Sequence, residues 1–290
     1  MNEIDKTNPL IIAIDFFTVI FIAMFAGNPI LSFIAFCGAE CYLIFCRNKP
    51  KFDVFLLLLF LVTALINPLI SHNGVTIMFV MNDQPITFEA LIYGMSVGLS
   101  IIATMCWFKV AFDVFSCDKI NYILGAFSPK TALLMSMTFR FLPLYLIKSK
   151  EIDEAQKAFG IYTKDNLIDT ILAKIRIFST MVTWSLENGI VTADSMAARG
   201  FGVGRRTNYS DYHIRKKDAF IAIAILSLST ITIFAIINDC FSFVIYPEII
   251  IHKISKLAVI GYISYSLLAF LPVIIEVVTR LKWKFLMSRI

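Results

Sequence analysis

The sequence predicts an all-α fold, a polytopic membrane helix bundle with a long amphipathic cytoplasmic module of helices. The 290-residue chain is 58% hydrophobic and only 16% charged, whereas soluble domains are about half apolar and about a quarter charged. The hydrophobic residues collect in blocks of roughly 20, the length that a helix needs to cross a hydrocarbon core. One long basic region instead shows apolar residues at helical spacing. Soluble enzymes are therefore disfavoured.

Six hydrophobic segments are predicted to span the membrane. They are residues 10–26, 30–46, 52–70, 88–112, 218–238 and 257–279. We expect the first to be kept as an anchor rather than cleaved as a signal peptide, because Asp15 interrupts it and no small-residue cleavage site follows cleanly.

Lysine and arginine in the loops predict the orientation. The loop 47–51 and the C-terminal tail are basic, whereas the loop 71–87 contains no Lys or Arg. Both termini and the loop 47–51 are therefore expected in the cytoplasm of a plasma-membrane protein, and the loop 71–87 outside. The loop 239–256 is expected outside as well, although its two lysines weaken that assignment.

Residues 113–217 form the predicted cytoplasmic module, between membrane helices in 1–112 and 218–290. The module carries 15 Lys/Arg and 10 Asp/Glu. Its apolar residues recur at helical spacing, as in Ile168, Ile171, Ile175, Phe178 and Val182. Such a surface requires a partner, either the membrane or another protein.

One stretch within this module allows two interpretations. Thr131–Ile147 is nearly as apolar as a membrane span but contains Arg140. It is either a helix at the membrane–cytoplasm boundary, with the arginine side chain extending to the aqueous phase, or a short seventh crossing.

Two segments of the module end alike. Glu151–Gly160 and Thr192–Gly200 each predict a helix of a few turns that is closed by glycine. Arg199 lies in the last turn of the second, where a cation commonly complements the helix dipole and caps free carbonyls. Local physics alone therefore does not assign Arg199 to a partner.

Longer motifs carry a family resemblance. Residues 193–201 read ADSMAARGF and residues 204–207 read GRRT, while RFLPL at 140–144 is followed by Glu151 and Gln156. These motifs resemble the signature of the transmembrane T components of energy-coupling factor importers, the CbiQ/EcfT family. The order of hydrophobic spans, a long helical module and a final hydrophobic pair agrees with that family.

The resemblance implies a coupling subunit of an ATP-driven importer of a micronutrient, a vitamin or a metal ion. Two short coupling helices would dock on two cytoplasmic ABC-type ATPases and transmit their movement to a membrane-embedded, substrate-binding S component. The implied ATPase-coupling residues are Ala158, Phe159, Gly160, Ala198, Arg199 and Gly200. The implied supporting residues are Arg140, Glu151, Gln156, Lys157, Arg205 and Arg206.

The first motif departs from the family at Phe159, where arginine is expected. Phe159 fills a hydrophobic ATPase groove, or Lys157 supplies the charge, or the first contact is weaker. The departure also suggests two non-identical ATPases.

Other features favour rival interpretations. Asp15 and Glu40 lie within predicted spans, where ionisable groups indicate an ion or proton path, as in a secondary transporter or channel. Asp15 alternatively is solvated near the cytoplasmic end of its span, and Glu40 alternatively pairs within the bundle or faces a partner. The pair Gly94 and Gly98 allows close helix contact, either with the S component or inside the bundle.

Catalysis and cofactor binding are not indicated. The chain has no Gly-x4-Gly-Lys-Ser/Thr motif and no nucleophile–base cluster, so we expect a non-enzyme whose partners bind the ATP. Cys37 and Cys41 share a helical face, but no His lies nearby, so no metal site is expected. The basic residues are interleaved with acids, which favours a protein partner over nucleic acid.

Overall fold

The computed structural model describes residues 7–47, 54–71, 74–81, 84–160, 167–204, 212, 215–241, 243–245, 250–251 and 255–287. Helices dominate these ranges, which confirms the predicted all-α class. They are α1 (Pro9–Phe25), α2 (Pro29–Arg47), α3 (Val54–Ile70), α4 (Phe88–Val114), α5 (Cys117–Phe127), α6 (Pro129–Ala158), α7 (Leu167–Ala198), α8 (Lys216–Ile237) and α9 (Lys256–Met287).

Two small antiparallel hairpins were not predicted. β1 (Ile77–Met81) pairs with β2 (Gln84–Thr87), and β3 (Phe243–Val244) pairs with β4 (Ile250–Ile251). Both occur in loops between hydrophobic helices. Their β-branched and aromatic residues favour extended backbone, so the hairpins satisfy backbone groups there without changing the helical class.

Six helices coincide with the six predicted spans, and capping groups explain where some of them begin. The Asn8 side chain accepts a hydrogen bond from the Leu10 backbone N–H at 3.0 Å, just before Pro9 opens α1. At α8, the Asp218 carboxylate accepts the backbone N–H of Arg215 at 3.1 Å. These contacts satisfy donors that the first helical turn leaves unpaired.

Length and composition identify a membrane protein. Helix α4, helix α8 and residues 256–282 of α9 are each long and apolar enough to cross a bilayer, and α1, α2 and α3 contribute shorter apolar helices. The number of crossings and the orientation of the termini remain predictions. Helix α6, which contains Thr131–Ile147, is not one of the three long apolar helices found among the described residues.

Contacts divide the chain into two compact units. The first, here called the membrane unit, comprises Met1–Ser116 and Tyr212–Ile290, and thus α1 to α4, α8 and α9. The second, the hairpin unit, comprises Cys117–Asp211, with α5, α6 and α7.

One tryptophan joins three helices in the core of the membrane unit. Trp107 of α4 is fully buried, and its indole Nε1–H donates to the Ala35 carbonyl of α2 at 2.9 Å. Its ring meets Phe16 of α1 edge to face, with centroids 5.2 Å apart. Because a buried indole requires a hydrogen-bond acceptor, this contact sets the positions of α1, α2 and α4 together.

Glycines allow close helix contacts elsewhere in this unit. A Cβ at Gly94 would lie 2.8 Å from the Ala64 carbonyl oxygen of α3, and one at Gly98 would lie 2.7 Å from Thr63 Oγ1. The Gly94 and Gly98 pair is therefore used in packing α4 against α3. This is the internal role considered from the sequence, rather than contact with a partner.

The hairpin unit has little core of its own. Helix α6 contains no buried residue, and Ala173 is the buried hydrophobic side chain among the described residues of α7. The edge-to-face contact of Tyr145 with Trp184, at a centroid distance of 5.5 Å, links the two helices. The helices of this unit thus leave most of its apolar surface uncovered.

The prediction of short helices ending at Gly160 and Gly200 was wrong about their length. Those segments are the last turns of α6, with 30 residues, and α7, with 32 residues. Pro143 lies inside α6 on an exposed face, where the loss of one backbone hydrogen bond does not end the helix.

Candidate functional site

The C-terminal end of α7 is closed by a Schellman motif. The Phe201 N–H donates to the Met196 carbonyl and the Gly200 N–H to the Ala197 carbonyl, both at 3.0 Å. Gly200 has φ +77°, a left-handed conformation that glycine adopts without steric cost. Arg199 therefore occupies the C-cap position, immediately before the glycine.

The end of α6 shares part of this geometry, up to its glycine. The Phe159 N–H donates to the Ala155 carbonyl at 3.1 Å, and the Gly160 N–H donates to the Lys157 carbonyl at 3.0 Å. Gly160 has φ +68°. Phe159 thus occupies the C-cap position in α6 that Arg199 occupies in α7, so the two helix ends are equivalent as far as the left-handed glycine.

Within the hairpin unit, both C-cap side chains are exposed and therefore accessible to another protein. Phe159 is 81% exposed. Arg199 is exposed too, and its guanidinium forms no hydrogen bond or ion pair within the described part of the chain. The guanidinium therefore does not cap the free carbonyls of α7, and the local role left to it is the modest interaction of an exposed cation with the helix dipole.

Two exposed hydrophobic residues close to Arg199 were not among the predicted site residues, although Phe201 ends the motif at 193–201. Phe201 is 54% exposed and Val203 is 87% exposed. Arg199 is thus followed within four residues by two exposed apolar side chains, and arginine is one of the residue types enriched at the energetic centre of protein interfaces. Hydrophobic residues directly after a helix-ending glycine were the available signal.

The two helix ends are far apart. About 33 residues of α7 at 1.5 Å each place its end about 49 Å from its start. The connection from Gly160 to Leu167 can reach at most about 25 Å. The ends at Gly160 and Gly200 are therefore at least about 24 Å apart.

Four of the six supporting residues lie on α6, at several positions along it. Glu151 Oε2 is 2.5 Å from Lys148 Nζ, and Lys157 Nζ is 2.6 Å from Asp153 Oδ2. The Lys157 charge is thus already paired on its own helix. Arg140 is exposed, whereas the Gln156 side-chain oxygen is buried without a hydrogen-bond partner in the described residues. Arg205 and Arg206 lie outside the described residues.

Helix α7 also presents a continuous apolar face. The five periodic residues are all exposed within the hairpin unit, namely Ile168, Ile171, Ile175, Phe178 and Val182, at 40–70%. A groove between α6 and α7 continues this face, with Leu142, Leu146 and Met181 in its wall. Exposed apolar surface of this extent marks a contact with membrane or protein.

The two intramembrane carboxyl groups line different cavities of the membrane unit. Asp15 is 2% exposed, beside Ile225 and Pro272. It is thus buried rather than solvated at a helix end. Glu40 lies in a separate groove beside Phe36 and accepts a weak hydrogen bond from the Cys106 thiol at 3.6 Å. The described residues therefore do not bring the two carboxyls into one path.

Metal-binding groups are likewise not assembled. Among the residues that the structure describes, no cluster of three or more His, Cys, Asp or Glu could hold a metal ion.

These features define a helical membrane protein that carries a long helical hairpin with two equivalent, exposed and widely separated ends. The chain is similar to energy-coupling factor transporter transmembrane protein EcfT 1 of Listeria monocytogenes, with 29% identity over 120 residues, 39% of this chain and 45% of the relative. It is also similar to EcfT of Streptococcus thermophilus, with 32% identity over 101 residues, 34% of this chain and 38% of the relative.

The similarity spans less than half the length of either relative. No protein-family model matches the chain. The two relatives confirm the resemblance to the T components of energy-coupling factor transporters that the motifs predicted.

Proposed function

We propose that this chain is the transmembrane coupling subunit of an ATP-driven micronutrient importer and is not itself an enzyme. The observation that supports this most is the pair of equivalent helix ends at Gly160 and Gly200. Their separation of at least about 24 Å suits two ATPase subunits rather than one. The similarity to EcfT proteins supports the same function.

Each helix end would form a rigid docking contact with one cytoplasmic ATPase. The left-handed glycine ends the helix abruptly, so the C-cap side chain projects from a fixed position. Arg199 would make charge-assisted hydrogen bonds to acidic groups, since its planar fork stays charged and bonds bidentately. Long helices then transmit a displacement at one end along their whole length.

The apolar face of α7 would contact the membrane-embedded S component, which binds the substrate. Closure of the ATPase dimer on ATP would move the hairpin unit and, through it, the S component. A vitamin or a metal ion is the expected class of substrate, carried by that partner. In this proposal both termini lie in the cytoplasm of a plasma-membrane protein, the orientation that the basic loops predict.

The test of this function is retention of ATPases on the purified chain. The tagged parent, solubilised gently from its native membrane, should elute with ABC-type ATPase subunits. Arg199→Glu should reduce that retention at least tenfold, because it replaces the interface cation by an anion. Arg176→Glu is the matched control, since Arg176 is also an exposed arginine on α7 and should leave retention unchanged.

Two outcomes would contradict the proposal. A parent that elutes alone in several mild detergents has no ATPase partners. Equal loss of ATPase retention in Arg176→Glu and Arg199→Glu would show a general effect of charge rather than a specific contact made by Arg199.

Phe159 tests whether the two ATPases differ. If Phe159 fills a hydrophobic groove on one ATPase, Phe159→Arg should weaken retention of that ATPase about tenfold or more and leave the other unchanged. Quantifying each ATPase separately in the eluate is the measurement. Unchanged affinity for both would exclude a specific role for this side chain and remove the argument for non-identical ATPases.

An ion-coupled transporter is the alternative suggested by Asp15 and Glu40. The structure does not favour it, because the two carboxyls line different cavities. It would predict uptake by this chain alone, driven by an ion gradient.

A further inference from the structure

A groove on the membrane unit contains a carboxyl group at its wall. The groove lies between α2, α3 and α4, and Glu40 is its one ionisable residue. Its other lining residues are Phe36, Leu56, Leu57, Phe60, Leu99 and Ile102. Leu57 is 45% exposed, so the groove opens onto the surface of the unit rather than into its core.

Glu40 lies well inside the apolar length of α2. It is about 16 Å along the helix from Pro29, at 1.5 Å per residue. The side chain is half-buried, and its one hydrogen bond within the described part of the chain comes from the Cys106 thiol at 3.6 Å. A thiol is a weak donor, so the carboxyl retains unused acceptor capacity towards the groove.

A carboxyl at this depth requires a stronger partner. Ionisable groups within membrane helices normally face the bundle interior, a water-filled cavity or a paired group, because hydrocarbon cannot solvate them. The groove wall around Glu40 supplies apolar contact and no charged donor.

The surface of α4 that carries Gly94 and Gly98 is already packed against α3. Gly94 and Gly98 pack against α3 through Ala64 and Thr63. Helix α3 buries Ala64 and Pro68 among its described residues and leaves most of its remaining surface uncovered by the chain. The groove beside α3 is therefore an open contact surface on this side of the unit.

We propose that this groove binds one transmembrane helix of a partner protein, which places a hydrogen-bond donor such as Ser, Thr, Asn, Gln or His against Glu40. Complementarity selects this occupant. A lipid acyl chain would fill the apolar walls but leave the carboxyl with only the weak Cys106 thiol as a donor. The same groove of a second copy would bring a second carboxyl. The naming of the partner as the S component rests on the proposed function.

Neighbouring residues of α3 provide a matched test. Leu57 lines the groove, whereas Leu58 is 58% exposed and lies outside its lining. In the complex purified from its native membrane, Leu57→Trp should block the groove and lower retention of the co-purifying membrane subunit. Leu58→Trp should not. Since both variants add the same bulk to exposed positions of one helix, a folding defect would affect both.

Glu40 itself is tested in the same complex. Glu40→Leu should lower retention of the membrane subunit about three- to thirtyfold, the range expected for one interhelical hydrogen bond. Glu40→Gln keeps a carbonyl acceptor and should retain most of the binding. ATPase retention should be unchanged in all these variants, because the ATPases contact the hairpin unit in our proposal.

Photo-cross-linking from position 57 identifies the occupant. A cross-link to the co-purifying membrane subunit, absent from position 58, supports the proposal. A cross-link to lipid alone, to a second copy of this chain, or unchanged retention in Leu57→Trp and Glu40→Leu overturns it. Absence of ATPases from the parent would instead contradict the proposed function, so the two failures are distinguishable.

Discussion

At the ends of α6 and α7, single residues decide where each helix stops. Gly160 and Gly200 both adopt left-handed backbone, and a Cβ built at either would meet no atom within 4 Å. The requirement for glycine is therefore conformational and not a matter of space. This explains why the two ends could be predicted from sequence, since the preference for glycine at such positions is local.

Gly200→Ala should loosen the end of α7. A left-handed alanine costs about 1 kcal/mol or more, so amide hydrogen exchange at residues 198–203 should accelerate about fivefold and ATPase retention should fall. Gly189→Ala is the control, because Gly189 is helical, also in open space, and should gain about 1 kcal/mol of helix stability. Identical behaviour of the two variants would contradict a conformational role for Gly200.

Pairs of elements are joined by a small number of polar contacts. Arg280 near the end of α9 donates to the Phe45 carbonyl of α2 at 2.7 Å and to Glu276 Oε1 at 3.2 Å. Phe45 is in the last turn of α2, where carbonyls lack intrahelical donors. Glu276 is 2% exposed. Arg280 thus bonds a helix-end carbonyl and one oxygen of a buried carboxyl together, whereas Glu276 Oε2 has no hydrogen-bond partner among the described residues. Spacing along the sequence does not reveal this contact.

Arg280→Ala should destabilise the contact between α2 and α9. It leaves a buried carboxyl and a helix-end carbonyl without this donor, at a cost of about 1–3 kcal/mol. Thermal unfolding in detergent should show a lower Tm than for the parent. Adding Glu276→Leu should recover part of the loss, since it removes the unpaired carboxyl. A double variant less stable than Arg280→Ala would refute this account.

The whole chain combines an apolar bundle with a largely uncovered hairpin unit. The membrane unit buries aromatic residues such as Trp107 and Tyr265, whereas the hairpin unit exposes its periodic apolar residues. A unit with so little core of its own gains stability from partners. This contrast is the molecular-scale argument that the chain works as part of a complex.

The predicted orientation is testable with the intact chain. In a background lacking the six native cysteines, Val75→Cys should react in intact cells with a maleimide that does not cross membranes. Gly204→Cys should react only after the cells are opened. Val75 is 59% exposed and Val203, next to Gly204, is 87% exposed, so burial would not mask either site. The reverse labelling pattern would show that the orientation is opposite to the predicted one.

The sequence by itself determined the helical class, the positions of the apolar helices, the amphipathic face of α7 and the two glycine-closed ends. Each depends on local properties, namely the length of a hydrophobic block, the helical period and the backbone freedom of glycine. The equivalence of Phe159 and Arg199 followed from the same local geometry, although the full lengths of α6 and α7 did not.

Only the tertiary structure decided which faces are covered. It buries Asp15, leaves Glu40 in a separate open groove, uses Gly94 and Gly98 inside the bundle, and exposes Phe201 and Val203. The physical reason is that burial depends on which helices become neighbours in space. Residue spacing along one helix defines a face, but not what packs against it.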